Sequence, residues 1–549
     1  MLWVLFGIFV AIGAAAQEEE EAVKAAMYLN GAASEEELDV SEIERLQVIG
    51  KVRVNAPGRN ARAILSEYQL AALEDYRRQC GDILSWEELA LVDGFGKEAV
   101  EALRPYLSLW SDNLPGAVDT VNHFKADILV RATEKNLGGK LKAGGKTWQA
   151  AGAVRSKAWG RTDYDWTAGV EVGNSRWSVL AGDFNVRYGQ GIGIWSGFSM
   201  TSLSTIDAFI KRPTGIRPVC SFTPSGYRGL AGEYRIGRWS LAAFGDISGK
   251  AGVHGSFVSM KSQLGLTLMP GLASAHFALN YKGIDLAGEA VYGRAVPSFP
   301  VAGGDSSFAT VLAGKFRVKG IKCALQARAI PSRLSGKRNG EYGAAAGAQW
   351  SSREMKLSMT ADASLLPVPQ KDPGRKQLRI YGLCQWKKTE TLVLESKFSG
   401  RYRNWEPSRS DLRLDIKYSN EHWFGASRIE GDYCSGPGVL GFLETGYKGE
   451  IAGLSGRVRP QGWAAYFRIG AFSTSGWSSR IYCYERDAPG TFTVPAYYGK
   501  GMTTRLYGFW KTNIGSRSSA KLCLRAAYTI REAVKPVPSI HIQLEMRVW

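Results

Sequence analysis

From about Asp119 to Trp549 the chain reads as an unbroken ribbon of short alternating strands joined by turns. Leu378–Trp386 shows the grammar. Leu378, Ile380, Gly382, Cys384 and Trp386 fall on one face, and Arg379, Tyr381, Leu383 and Gln385 on the other, because side chains alternate along a strand. The ribbon is too long for a sandwich, and nothing in it has the length and period of a crossover helix. Closure into a membrane barrel disposes of the raw edges. The expected fold is an all-β transmembrane barrel of about 24–26 antiparallel strands, preceded by a small all-α domain.

Residues 1–13 are apolar and run into Ala14-Ala15-Ala16-Gln17, so residues 1–16 read as a signal peptide. Such a leader and barrel together predict the outer membrane of a Gram-negative bacterium, with lipid and lipopolysaccharide as surroundings. The 64 glycines suit bends in strands, and the 17 tryptophans and 23 tyrosines supply interfacial girdles. Seven cysteines (80, 220, 323, 384, 434, 483 and 523) are scattered without a C-x-x-C. They read as small apolar residues, with no disulfide framework and no metal site.

Two parts follow the leader. Residues 17–110 form the helical one, expected in the periplasm. Ser34-Glu35-Glu36-Glu37 has the pattern of a capping box, and Ile64, Leu65, Tyr68, Leu70, Leu73 and Tyr76 recur at helical spacing. Residues 117–549 form the barrel. Short turns are expected near Asn174-Ser175, Ile236-Gly237, Tyr281-Lys282-Gly283, Lys319-Gly320, Ser351-Ser352, Lys388-Thr389, Asn420-Glu421, Tyr447-Lys448-Gly449, Thr474-Ser475-Gly476 and Asn513-Ile514-Gly515. Parity counted back from a descending last strand puts them in the periplasm. Longer loops are expected at 188–227, 297–306, 367–376, 405–411 and 488–502. Leu137–Lys146 is a weak strand that the count needs. In the last strand Ile542, Leu544, Met546 and Val548 share the apolar face, and Trp549 falls on the other.

Charge divides between the parts. Residues 17–110 hold 10 Lys and Arg against 19 Asp and Glu, a net −9 in a chain of net +18, so the remainder carries +27. Arg379, Arg401, Arg403, Arg505, Lys511, Lys521 and Arg525 fall on the non-lipid register. A lumen so lined favours anionic solutes or polyanions; the alternative is that these cations pair with lumenal carboxylates or meet lipopolysaccharide phosphates at the rim.

Leu91-Val92-Asp93-Gly94-Phe95-Gly96-Lys97-Glu98-Ala99-Val100 resembles the second hairpin of a helix-hairpin-helix module. Together with the degenerate copy at Leu65–Tyr76 and the connector Tyr76–Leu89, it is similar to the tandem module of exported competence-type DNA receptors. That resemblance implies contact of Gly94, Gly96 and Lys97 with a phosphate backbone. Asp93, the missing glycines of the first copy and the net −9 all oppose it. A packing or protein-docking role is the preferred expectation, with the domain either docking a periplasmic or envelope partner or partly occluding the barrel from below, and nucleic acid is the alternative.

Ala181–Trp195 contains Gly189-Gln190-Gly191-Ile192-Gly193. With Tyr484–Gly490 and Val494–Gly499, it resembles segments of uncharacterised large barrels of Bacteroidota-type outer membranes that carry helix-hairpin-helix leaders. Gly189, Gln190, Gly191 and Gly193 are expected in a loop folded into the lumen or over its mouth. No βαβ unit follows to make a dinucleotide site. The five histidines (123, 254, 276, 422 and 541) lie in no hydrolase or metal motif, and there is no G-x-S-x-G elbow. The expectation is a non-enzymatic barrel without cofactors, serving transport or envelope assembly.

Overall fold

A two-residue hydrophobic period buries one face of a strand and exposes the other, and strands form where the sequence has it. The computed structural model describes residues 15–39, 42–43, 46, 51–58, 61–62, 64–111, 124–145, 147–159, 163–199, 202–259, 261–294, 306–331, 341–368, 372–451, 461–491, 493–515, 517–532, 534, 536 and 538–548. Among them, full strands run from Lys125–Thr133 to Ser539–Val548, each antiparallel to its neighbour in chain order. The last pairs with the first, from His541 opposite Thr133 to Val548 opposite Ala126, closing a 24-stranded barrel. A short extra strand, Gly215–Pro218, joins the far end of Trp177–Arg187.

Inside and outside follow the alternation. Ile540, Ile542, Leu544 and Met546 are exposed while Gln543 between them is fully buried. Leu412, Leu414 and Ile416 likewise face out, with Arg413 and Asp415 turned in and buried. Trp177, Trp239, Trp350, Trp386, Trp423 and Trp510 stand exposed at one end of the strands. Tyr164, Tyr292, Phe308, Tyr342, Tyr433 and Tyr528 do so at the other. An apolar band between two aromatic girdles, around an even-numbered closed sheet, is the form taken by barrels of bacterial outer membranes.

The tryptophan end carries the short turns. Lys282-Gly283 and Lys319-Gly320 are two-residue hairpins with positive φ at both positions, 49° and 78°, then 47° and 84°, the twist that matches paired strands. Leu137–Gly144 forms a strand. Four expected connections differ. Tyr447-Lys448-Gly449 lies within strand Pro437–Ile451, paired with Ala465, Ala464 and Trp463. Thr474-Ser475-Gly476 sits at the opposite end and opens an arm that turns inward, so 477–487 spans nothing; this removes the upper strand count. The loop expected at 405–411 is the turn Asn404-Trp405 (φ 53° and 71°) followed directly by strand Glu406–Ser419. That at 367–376 is largely absorbed into strands Met355–Val368 and Asp372–Lys387. Residues 1–14, the 297–305 loop and Trp549 lie outside the described residues.

The N-terminal part forms α1 (Ala15–Asn30), α2 (Glu67–Cys80), α3 (Trp86–Leu91) and α4 (Gly96–Leu103). Leu46, Leu65, Leu73, Ile83, Leu89 and Leu103 are among its most deeply buried side chains, and the two-residue parallel ribbon Val52–Arg53 with Leu107–Ser108 ties its ends. Ser66 and Gln69 make a capping box at the start of α2. The one expected at Ser34–Glu37 is absent: Glu35–Glu37 is a single 3-10 turn that Ser34 does not cap, with the Glu35 and Glu36 carboxylates turned to the barrel wall and that of Glu37 to Ser204 and the Ala33 N–H. The domain is seated in the barrel from the short-turn end, where Glu98 meets Lys322 at 2.6 Å and Glu67 accepts from Gln263 at 2.9 Å.

Candidate lumenal site

Three pieces of chain meet inside the barrel: the helical domain from the short-turn end and two arms, 188–226 and 475–499, from the other. Each is anchored through buried charge, which is stable in a low-dielectric site when opposite partners and hydrogen bonds surround it.

The Glu35–Glu37 turn meets the wall at mid-strand. Glu36 accepts from Arg413 Nη1 at 2.9 Å, Arg428 Nη1 at 2.7 Å and the Tyr484 backbone N–H at 3.1 Å. One carboxylate thus joins domain, wall and second arm. Asp415 backs the clasp, accepting from Arg413 Nε at 2.5 Å and Arg428 Nε at 2.7 Å. Burial pushes the Glu36 carboxyl up, but Arg413 and then Arg428 outweigh it and hold it well below the usual carboxylate range. Burial acts on Glu35 too, and Lys417 overcomes it. Glu37, held by Ser204 Oγ at 2.7 Å and the Ala33 N–H at 2.7 Å, is raised by burial.

The first arm crosses the lumen. Leu203, Ile206 and Phe209 pack on Ala324 and Ala345 of the far wall, where Gln326 donates to the Phe209 carbonyl at 2.8 Å. Its glycine turn surrounds the Glu289 carboxylate, on strand Ile284–Arg294. The N–H groups of Gln190, Ile192 and Gly193 donate at 2.6, 3.0 and 2.9 Å, and Ser274 Oγ at 2.7 Å. Positive φ at Gly189 (67°) and Gly191 (82°) makes this nest possible. The domain rests on the same arm through Arg187–Glu42 at 2.7 Å and Thr205 Oγ1 to the Gly31 carbonyl at 2.6 Å. The cavity left between them, lined by Leu29, Ile64, Trp195 and Lys211, is about 40 Å³, room for a few waters at most.

The second arm carries its own acids to the wall. Glu485 pairs with Arg505 and with Arg525 (2.7 Å), Asp487 meets His541 at 3.0 Å, and Arg486 pairs with Glu444 at 2.7 Å. Of the basic residues expected in the lumen, Arg505 and Arg525 therefore share Glu485, and Arg525 also has Asp487 at 3.7 Å. Arg379 stands in a row with Arg401 and Arg409.

The Gly94–Lys97 turn joins α3 to α4, with φ of 82° at Gly94 and 78° at Gly96. A Cβ at Gly94 would lie 2.9 Å from the Tyr68 ring, and the Gly94 carbonyl accepts from Gln69 at 2.8 Å. Gly94 thus packs the hairpin onto α2. Lys97 is exposed. In the sequence Glu35 and Glu36 read as a helix start, and Glu42, Glu289, Arg413 and Arg428 did not stand out. The one signal that pointed toward them was the acidic domain set against a basic barrel.

No family model and no curated protein matches the chain. Solved barrels are similar to it over most of its length. The P pilus usher PapC translocation pore has 8% identity, covering 78% of this chain and 98% of that one, with a TM-score of 0.36. The ferric preacinetobactin receptor BauA of Acinetobacter baumannii gives 11%, 78%, 80% and 0.39, and the FrpB iron transporter of Neisseria meningitidis 8%, 78%, 82% and 0.42. All three scores are below 0.5, and the barrel stands on its own strand pairing.

Proposed function

We propose that this chain is a Gram-negative outer-membrane transport barrel held shut by its own N-terminal domain, which lies on the periplasmic side. The observation that carries this reading is the Glu36 carboxylate clasped by Arg413 and Arg428. The acidic domain is complementary to the basic lumen, and its charge is spent inward on Lys322, Arg187, Arg413 and Arg428. Opening then means withdrawing the domain toward the periplasm, and a periplasmic protein on its exposed face, where Leu84 and Leu91 stand out, would be the agent. The test is ion conductance of the full chain in planar bilayers. The wild type should be closed, and Glu35→Gln/Glu36→Gln/Glu42→Gln should show openings; a folded triple variant as silent as the wild type refutes the plug.

A second reading keeps a nucleic-acid role for the hairpin, since nothing lies within 4 Å of a Cβ at Gly96 and Lys97 is exposed. Duplex binding by the full chain at about 100 mM salt, steeply salt-dependent and lost in Lys97→Glu, would favour it; no binding removes it.

A further inference from the structure

On three adjacent strands of the lumen wall, Arg379 lies directly opposite Arg401, and Arg401 directly opposite Arg409. Neighbouring strands are about 4.8 Å apart, and like charges directly opposite one another are destabilising. Arg409 at one end of the row is paired with Asp432 at 2.7 Å, and Asp362 on the next strand binds Arg328 at 2.6 Å. Asp411, one position inward, accepts from Ser399 at 2.6 Å. Arg401 stands in the middle, and among the described residues no carboxylate lies within salt-bridge distance of it. The second arm brings a further arginine: the Arg480 carbonyl accepts from Arg409 Nη2 at 3.0 Å.

The register fixes where the row lies. Arg409 precedes Arg413 by four residues on the same inward face of Glu406–Ser419, about 13 Å along the strand. Arg409 is towards the loop end and Arg413 is deeper. A solute entering from the loop end meets the row first and the Glu36-filled clasp second. A carboxylate already in that clasp shows the chemistry the deeper arginines accept.

We infer that Arg379, Arg401 and Arg409 form a binding site for a small anionic solute bearing carboxylate or phosphate groups, whose planar or multidentate oxygens match guanidinium forks. This deepens the transport reading by naming its solute class and rests on that reading for passage, while binding itself stands on the row. The probes are citrate and inorganic phosphate, titrated calorimetrically into the full-length protein at low salt, with a neutral disaccharide as control. Wild type should bind both anions and not the sugar. Arg401→Gln should weaken binding at least about tenfold, whereas Lys250→Gln, at an exposed turn, should not. Retained heat-modifiable gel mobility shows that the variants are folded. Failure of the wild type to bind either anion, or equal binding by Arg401→Gln, overturns the site. Displacement of phosphate by lipopolysaccharide micelles would assign the row to a headgroup and overturn the solute reading. Binding without conductance in any domain-release variant sinks the transport reading and leaves the site standing; conductance without binding sinks the site alone.

Discussion

Replacing Glu289 by Gln should unlock the first arm, and the structure gives the size of the effect. The carboxylate accepts four hydrogen bonds: Gln190 and Ile192 N–H on Oε2, and Gly193 N–H and Ser274 Oγ on Oε1. A carboxamide has one oxygen. If its nitrogen took the Oε2 place, two backbone donors would face a donor. The better placement puts it at Oε1, where the Ser274 hydroxyl can rotate to accept and only the Gly193 N–H is stranded. A buried donor left unmade costs about 1–3 kcal/mol. The two remaining amide bonds lose their ionic character, about 1 kcal/mol each, since bonds to charged groups contribute roughly twice those to neutral ones. The sum is about 3–5 kcal/mol, which corresponds to a hundredfold to several-thousandfold faster local opening at about 1.4 kcal/mol per tenfold. Hydrogen exchange of peptides spanning 188–195 in the purified barrel reads this directly. Protection within about threefold of wild type would refute the nest as the arm's anchor. Glu289→Ala should lose at least as much.

Three further outcomes follow from the same geometry. The Glu35 and Glu36 carboxyls are held below their ordinary range, so their contribution is fully present above the unfolded value of about 4.3 and is lost as pH falls below it. Conductance should stay closed between about pH 8 and 5 and appear only below about pH 4; opening at pH 6 would contradict the clasp. Gly94→Ala should destabilise the helical domain more than Gly96→Ala. Both residues have positive φ, costing about 1–2 kcal/mol for a side chain, but only Gly94 also meets Tyr68; protease resistance of residues 64–111 ranks them, and equal effects would refute the packing role. Leu414→Arg, outward at mid-strand, should cost about 2–4 kcal/mol in vesicle-based unfolding, and a negligible cost would move the lipid face.

The barrel was legible because its signal is local and repeated. Alternation in Leu378–Trp386 and glycines at Gly283 and Gly320 each name a strand or turn without outside help. Legibility failed where chain chemistry is the same in two places. Thr474-Ser475-Gly476 has the composition of a hairpin turn, yet it begins an arm whose Glu485 and Asp487 find Arg525 and His541 on wall strands that follow it in the chain. Tyr447–Gly449 has turn residues in a strand whose pairing continues to Ile451. Ser34–Glu37 has a helix-start pattern, but Arg413 and Arg428, more than 370 positions on, bind Glu36 more strongly than a cap would. Such partners are set by three-dimensional closure, and only the charge division between −9 and +27 forecast them.

Closure by strand Ser539–Val548 against Lys125–Thr133 has a consequence for assembly. Every other neighbour in the wall is joined to its partner by a connecting segment of chain; this seam is held by noncovalent contacts alone, the backbone ladder and the Arg547–Asp127 ion pair at 2.7 Å among them. The acidic domain precedes the first strand, so it is already present when the seam zips. It can template the arginine-rich inner surface while the sheet curls around it, sparing that surface a moment of self-repulsion. Once the seam is shut the domain is ringed by the whole wall, and its exit is along the barrel axis.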